Sequence, residues 1–186
     1  MIEIEIRARI TNHNKIKARV IGLDGKFLKI EHQIDKVFGR KKDLDERQKI
    51  IEGHFSARIR QIDDDIKVEF KEIRRSGSGL EFSSKIHKID DGVKLLKKLD
   101  FEEAFTISKT RESFDLNGFT ICLDKVMELG DFVEIEHLSE NNENIDHTVE
   151  ECKALLSKLD PKAILEPKKY GDLMQELINN RGKNGF

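Results

Sequence analysis

The chain has 186 residues, 37% of them hydrophobic and 38% charged, with a formal net charge of −2. The charge is abundant but mixed in sign. This argues against a basic nucleic-acid binder, and no long single-sign tail offers an electrostatic hold on a membrane. Tyr (1) and Trp (0) are too scarce for stacking platforms on single strands, although Phe (11) is frequent. Cys122 and Cys152 lie in apolar surroundings without metal-ligand spacing and read as buried thiols in a reducing compartment. No N-terminal apolar run suits a signal peptide and no run is long enough to span a membrane, so a soluble cytoplasmic protein is expected.

Ile2–Ile10 alternates strictly, with Ile2, Ile4, Ile6, Ala8 and Ile10 on one face and Glu3, Glu5, Arg7 and Arg9 on the other, which predicts a strand. Thr11–Asn14 offers helix caps, and Ile16, Val20 and Leu23 recur at helical spacing until Gly22–Gly25. Lys26–Phe38 reads as a strand, and the charged stretch Gly39–Gly53 as a mobile loop with one helical turn. Phe55–Ile62 and Ile66–Ile73 alternate on either side of an Asp63-Asp64-Asp65 turn, and Ser76–Gly79 is a flexible connection. Leu80–Ile89 is a further strand, and a helix runs from Asp90 to Leu99. Thr106–Phe114 is strand-like, Asn117-Gly118 marks a hairpin, and Phe119–Glu128 and Phe132–Leu138 follow as strands. Ile145–Leu159 is a helix stopped by Pro161, and a last helix lies near Gly171–Asn180. About eight strands without repeated crossover units disfavour a doubly wound parallel sheet and favour an antiparallel sheet that curls or closes.

The charged faces are consistent from strand to strand. The acids are Glu3, Glu5, Glu69, Glu81, Asp124, Glu134 and Glu136, and the bases are Arg7, Arg9, Arg58, Arg60, Lys71, Lys85, Lys109 and Arg111. Either these charges face solvent around an apolar core, or the barrel is inverted, with a charged lumen and helices over its apolar outside. The density of bases favours the inverted arrangement, because a polyphosphate with a divalent cation would relieve their repulsion. Glu-x-Glu sets two carboxylates about 7 Å apart on one strand face, and such hard oxygens suit Mg²⁺ or Mn²⁺. Arg and Lys would hold phosphate oxygens.

Motifs in sequence order carry a resemblance: Glu3-Ile-Glu5-Ile-Arg7, Gln33-Ile-Asp35-Lys-Val-Phe38, Ala57-Arg58-Ile-Arg60, Glu69-Phe-Lys71, Lys109-Thr-Arg111, Leu123-Asp124-Lys-Val126, Leu129-Gly130-Asp-Phe132-Val-Glu134-Ile-Glu136 and Lys169-Tyr170-Gly-Asp-Leu173. Together they resemble the CYTH family, the triphosphate tunnel metalloenzymes that include CyaB-type class IV adenylyl cyclases and thiamine triphosphatases. The resemblance implies an α+β fold: an eight-stranded antiparallel closed β-barrel with a charged lumen and helices packed outside. It implies one domain over 1–186, with residues 1–140 as the barrel with two inserted helices and 141–186 as C-terminal helices. By position it implies Glu3, Glu5, Glu134 and Glu136 as metal ligands. Arg7, Arg9, Arg58, Arg60, Lys71, Lys85, Lys109 and Arg111 would be phosphate ligands, and Glu3, Glu5, Arg7, Lys71, Lys109 and Asp124 catalytic. Arg7 departs from the family's Lys, and an arginine stays protonated, which bars it from base work. Lys85 stands where the family often has Arg. His54 and His87 are not read as ligands, and Asp35 and the loop Arg40–Lys49 are expected in solvent, the loop able to act as a lid.

Three functions fit this pattern: cyclisation of ATP, hydrolysis of thiamine triphosphate, tripolyphosphate or a nucleotide, and triphosphate binding without turnover. A homodimer is compatible with the sequence.

Overall fold

Strand β1 (Ile2–Arg9) realises the opening alternation, and its partner is β8 (Gly130–Ser139), antiparallel with Arg7 opposite Glu134 and Glu5 opposite Glu136. Between them in sequence come α1 (His13–Gly22), β2 (Lys26–Gly39), a 3₁₀ turn (Lys41–Asp43), β3 (Phe55–Ile62), β4 (Asp65–Glu72), β5 (Glu81–Lys85), α2 (Ile89–Lys98), β6 (Glu102–Leu116) and β7 (Phe119–Val126). After β8 come α3 (Ile145–Leu159), β9 (Ile164–Leu165) and α4 (Tyr170–Lys183). This computed structural model describes residues 2–46, 49–74, 80–139 and 145–183, without the side chains of residues 2, 3, 139, 182 and 183. The expected Ser76–Gly79 connection lies outside the described residues.

The fold is α+β, with one large antiparallel sheet in the order β5-β4-β3-β2-β6-β7-β8-β1-β9. Among the described residues its hydrogen bonding does not close: nine strands run as an open series between β5 and β9, where eight in a ring were expected. The ninth, β9, is two residues long and pairs with Ala8 and Arg9 of β1. It was missed because so short a segment carries no alternation to read. Strand β6 is also longer than the expected Thr106–Phe114, because residues 102–105 and 115–116 join it at its two ends.

The described residues form two units. The first comprises residues up to Glu31 and Lys109–Leu173, and the second His32–Ser108 and residues from Met174 on. In the first, α1 and α3 cover the apolar parity of the sheet: Ile16, Val20, Cys152, Leu156 and Leu159 pack on Ala8, Phe114, Ile121, Leu123, Val133 and Ile135. Asn12 caps α1 by accepting from the Lys15 amide at 2.9 Å. Asn117 and Gly118, at φ of 54° and 83°, make the hairpin turn between β6 and β7 that the Asn-Gly pair predicts. In the second unit, Leu96 of α2 packs with Phe38, Ala57, Ile59, Val68 and Phe101. Within each unit, then, helices cover the apolar side of the strands, as both arrangements allow, and the charged parity is left for the other face.

Two expectations about the second unit are corrected. Asp35 is buried rather than solvated, because Arg60 and Arg58 bind it. Asp43 in the charged loop is buried too, accepting from Arg40 Nε at 2.6 Å and lying 2.9 Å from His54 Nδ1. A bridge between Leu44 and Ile50 joins two further described residues of this stretch.

The apolar face of the first unit offers a direct check on this packing. Ile135 is fully buried at the centre of β8. Replacing it by Ala is expected to cost about 2–5 kcal/mol. Urea unfolding would register this as a lower midpoint with an unchanged slope.

Candidate functional site

The site in the first unit is built by register. On β6, Lys109 and Arg111 share one parity, and Asp124 of β7 stands directly opposite Arg111. On β8, Glu134 and Glu136 share a parity, facing Arg7 and Glu5 of β1. Because a strand alternates sides, these charges fall on the face that the helices leave uncovered.

Asp124 is the centre, with 0% of its side chain exposed. Its Oδ1 accepts from Arg111 Nε at 2.7 Å, and its Oδ2 from Arg111 Nη2 at 2.7 Å, Lys109 Nζ at 2.9 Å and the Tyr170 hydroxyl at 2.9 Å. Burial works against its ionised form, but the Arg111 hydrogen bond and the charges of Lys109 and Arg111 prevail and hold the carboxyl below the usual aspartate range. Burial alone would ease the proton off Arg111, yet Asp124 and Glu134 keep it more firmly cationic than usual. The Tyr170 hydroxyl is pushed up by burial and by Asp124 and Glu134, so it remains a donor.

From Asp124 the ion pairs continue. Arg111 reaches Glu136 Oε1 at 3.2 Å and also pairs with Glu134. Glu134 in turn accepts from Arg7 Nε. Arg7 extends Nη2 to Glu5 at 3.4 Å and donates from Nη1 to the Lys168 carbonyl at 2.9 Å. Burial opposes the charge on Arg7, but Glu134 outweighs it, and its pKa is raised. Arg9 lies apart, its Nε 3.0 Å from Glu166 Oε2 and its guanidinium over the Phe132 ring at 4.8 Å.

Glu5, Glu134 and Glu136 each present a carboxylate oxygen, and these oxygens lie within 4.8 Å of one another. Glu5 and Glu136 are direct cross-strand neighbours, and like charges so placed repel. Three hard oxygens converging in this way fit a divalent cation such as Mg²⁺ or Mn²⁺. The Glu3 side chain lies outside the described residues.

The second unit holds the other expected bases. Arg60 binds Asp35 through Nε and Nη2, both at 2.7 Å, and Arg58 binds Glu69 at 2.7 Å and Asp35 at 3.4 Å. Lys71 pairs with Glu81 at 3.3 Å, and Lys85 with Asp65 at 2.7 Å; both lysines are largely exposed.

The sequence did not reveal what the segment after α3 contacts. The Glu166 amide donates to the Arg7 carbonyl at 2.8 Å, its carboxylate takes Arg9, the Lys168 carbonyl takes Arg7, and Tyr170 takes Asp124. The signals available were the Lys169-Tyr170-Gly-Asp-Leu173 motif and that Tyr170 is the chain's only tyrosine.

The depressed carboxyl of Asp124 has a consequence in acid. Its contribution to stability is present above the unfolded aspartate value of about 3.9 and is lost as pH falls through its lower folded value. Asp124→Asn takes from Lys109 its buried counter-charge and leaves Arg111 with only Glu134 and Glu136, and is expected to cost about 3–5 kcal/mol at pH 7. Urea midpoints between pH 7 and pH 3 should fall less steeply in the variant; parallel curves would contradict this assignment.

Residues 1–168 match the CYTH domain. A protein of Methanocaldococcus jannaschii named "Putative adenylate cyclase MJ0240" is 32% identical over 169 residues, covering 86% of this chain and 90% of that protein. The PH1012 protein of Pyrococcus horikoshii has a similar structure, with a TM-score of 0.70 at 26% identity, over 91% of this chain and 97% of its own. A Hippeastrum protein named "Putative adenylyl cyclase HpAC1", to which a dominant triphosphatase activity is ascribed, shares the fold with a TM-score of 0.67 at 17% identity, over 94% of this chain and 96% of its own. The chain belongs to the CYTH family.

Proposed function

We propose that the chain is a divalent-metal-dependent enzyme acting on a small-molecule triphosphate, and that it cyclises ATP to cyclic AMP and pyrophosphate. The carrying observation is that Glu5, Glu134 and Glu136 converge while Arg7 and Arg111 are threaded between them. Carboxylates alone would suit any structural cation. Guanidinium groups among them suit a cation that is met by phosphate oxygens.

The charges also suggest an order of binding. Asp124, Glu134, Glu136 and Glu5 set four carboxylates against the three cations Arg7, Lys109 and Arg111. The cluster on its own is therefore one charge negative and disfavours a polyphosphate. A divalent cation held by Glu5, Glu134 and Glu136 would make it one charge positive, or neutral once Glu3, a further proposed ligand, joins them. Once bound, Mg²⁺ or Mn²⁺ would neutralise charge developing on phosphate oxygens. Lys109, Arg111 and Arg7 would orient the phosphate chain. Neither arginine can serve as the base, since both hold their protons more firmly than usual. Arg9 is proposed as a further phosphate ligand of the first unit; Arg58, Arg60, Lys71 and Lys85 are proposed to bind phosphate on the second unit, taken by itself.

In cyclisation the ribose 3′-oxygen bonds to the α-phosphorus, the bond from that phosphorus to the β-bridging oxygen breaks, pyrophosphate leaves with the electron pair, and the hydroxyl proton passes to solvent. The name of the Methanocaldococcus jannaschii relative supports this reading. Attack by water on the triphosphate is the second reading, supported by the dominant triphosphatase activity ascribed to the Hippeastrum protein.

Incubation with ATP and Mg²⁺ or Mn²⁺ separates the two. Cyclic AMP with pyrophosphate is expected; ADP or free phosphate would favour hydrolysis, and tight tripolyphosphate binding without product would mark a binding module. Glu5→Ala and Glu136→Ala should each lower turnover on the order of 100-fold while remaining folded. A chelator should weaken tripolyphosphate binding to the wild type, and affinity that is indifferent to metal would refute the charge argument.

A further inference from the structure

Tyr170 opens α4, yet its side chain reaches into the charged face of the first unit. Its hydroxyl donates to Asp124 Oδ2 at 2.9 Å, on β7. Its ring centroid is 4.4 Å from the Arg7 guanidinium carbon, on β1, and 5.0 Å from Lys109 Nζ, on β6. Phe132 of β8 meets the ring edge to face, with centroids 5.0 Å apart and planes at 72°, which limits its tilt. One residue thus touches all four strands that carry the first unit's charges.

The backbone just before it fixes the same arginine. Arg7 donates to the Lys168 carbonyl and accepts, through its own carbonyl, from the Glu166 amide. An arginine suits this place because its planar fork donates in several directions while its face lies on a ring; a lysine has one ammonium for all of these partners.

We propose that Tyr170 is a positioning residue of the phosphate site: its ring fixes Arg7 and Lys109 relative to each other, its hydroxyl fixes Asp124, and together they set the affinity for a triphosphate chain. The part concerning affinity rests on the function proposed above; the positioning does not.

The test uses the full chain as wild type, Tyr170→Phe and Tyr170→Leu, with two measurements. The first is solvent exchange of the Arg7 Nε–H by NMR without ligand, with the backbone amides of β1 and β8 as controls for folding. The second is calorimetric titration with tripolyphosphate in the presence of Mg²⁺. Tyr170→Leu removes both cation–ring contacts, so the Arg7 Nε–H should exchange roughly tenfold faster, with the control amides unchanged, and tripolyphosphate should bind roughly tenfold more weakly. Tyr170→Phe keeps the ring, so exchange should match the wild type and affinity should fall only about threefold.

A folded Tyr170→Leu protein with wild-type exchange, or with wild-type affinity, overturns the proposal. If Tyr170→Leu does not fold, Tyr170→Phe decides: unchanged affinity overturns it, and the threefold loss supports it. A wild type that binds no tripolyphosphate overturns the function proposed above and the part concerning affinity, and the exchange measurement then decides the positioning alone.

Discussion

A carboxylate with no access to water organises the charged face of the first unit. Isolated burial of such an ion costs several kcal/mol. Asp124 offsets that cost by filling its lone pairs: Arg111 takes one edge with two parallel donors, and Lys109 and Tyr170 share the outer oxygen. Arg111, held by its Nε and Nη2, can then offer only its outer edge to Glu134 and Glu136. Glu134 directs Arg7, and Arg7 directs Glu5. Charge sign alternates along this chain, and its ends differ in burial, from 0% exposure at Asp124 to 43% at Glu5. The buried end supplies rigidity and the open end access, which is the distribution a site for a charged ligand requires.

The acids at the open end would not converge without a reason. At the ~5.5 Å spacing of directly opposed strand residues and an effective dielectric of about 20, two carboxylates repel by about 3 kcal/mol. Arg7 and Arg111 compensate part of this, and Glu5 could relieve the remainder by rotating outward. Its carboxylate nevertheless lies with those of Glu134 and Glu136. Cys122 of β7 makes a contrast on the same sheet face. Burial pushes the Cys122 thiol up to about 12, so although it stands opposite Glu134 it stays protonated and packs.

Much of this was legible in the sequence, because alternation fixes which residues share a face before any partner is known. Strict period two at Ile2–Ile10 separated the acids and bases of β1 from its isoleucines, and the Asn117-Gly118 pair located a hairpin. What sequence could not give is pairing across distance. Arg7 meets Glu134 from 127 positions away, and Tyr170 meets Asp124 from 46. No local pattern records such contacts. Asp35 was misread for the same reason: a lone acid in a polar background looks solvated until the strand opposite is known. Closure of the sheet was the other overreach, since alternation fixes faces but not how the edge strands end.

The two units solve one problem by the same local means. In the second, Asp35 stands directly opposite Arg60 and receives its Nε and Nη2 at 2.7 Å each, while Arg58, two residues away, reaches Oδ2 at 3.4 Å. In the first, Asp124 stands directly opposite Arg111 with the same two distances, and Lys109, two residues away, reaches Oδ2 at 2.9 Å. Both acids open an Asp-Lys-Val triplet, at 35–37 and 124–126. The geometry accounts for the choice of residue. Aspartate is short enough to meet an opposed guanidinium edge on without folding back, and a base two positions along the neighbouring strand projects from the same face. A glutamate would overreach the first contact and crowd the second. Placing a base-x-base pair opposite an aspartate is thus a compact way to bury cations on a sheet face while leaving outer donors to reach further acids. In the first unit those outer donors are the ones that meet Glu134 and Glu136.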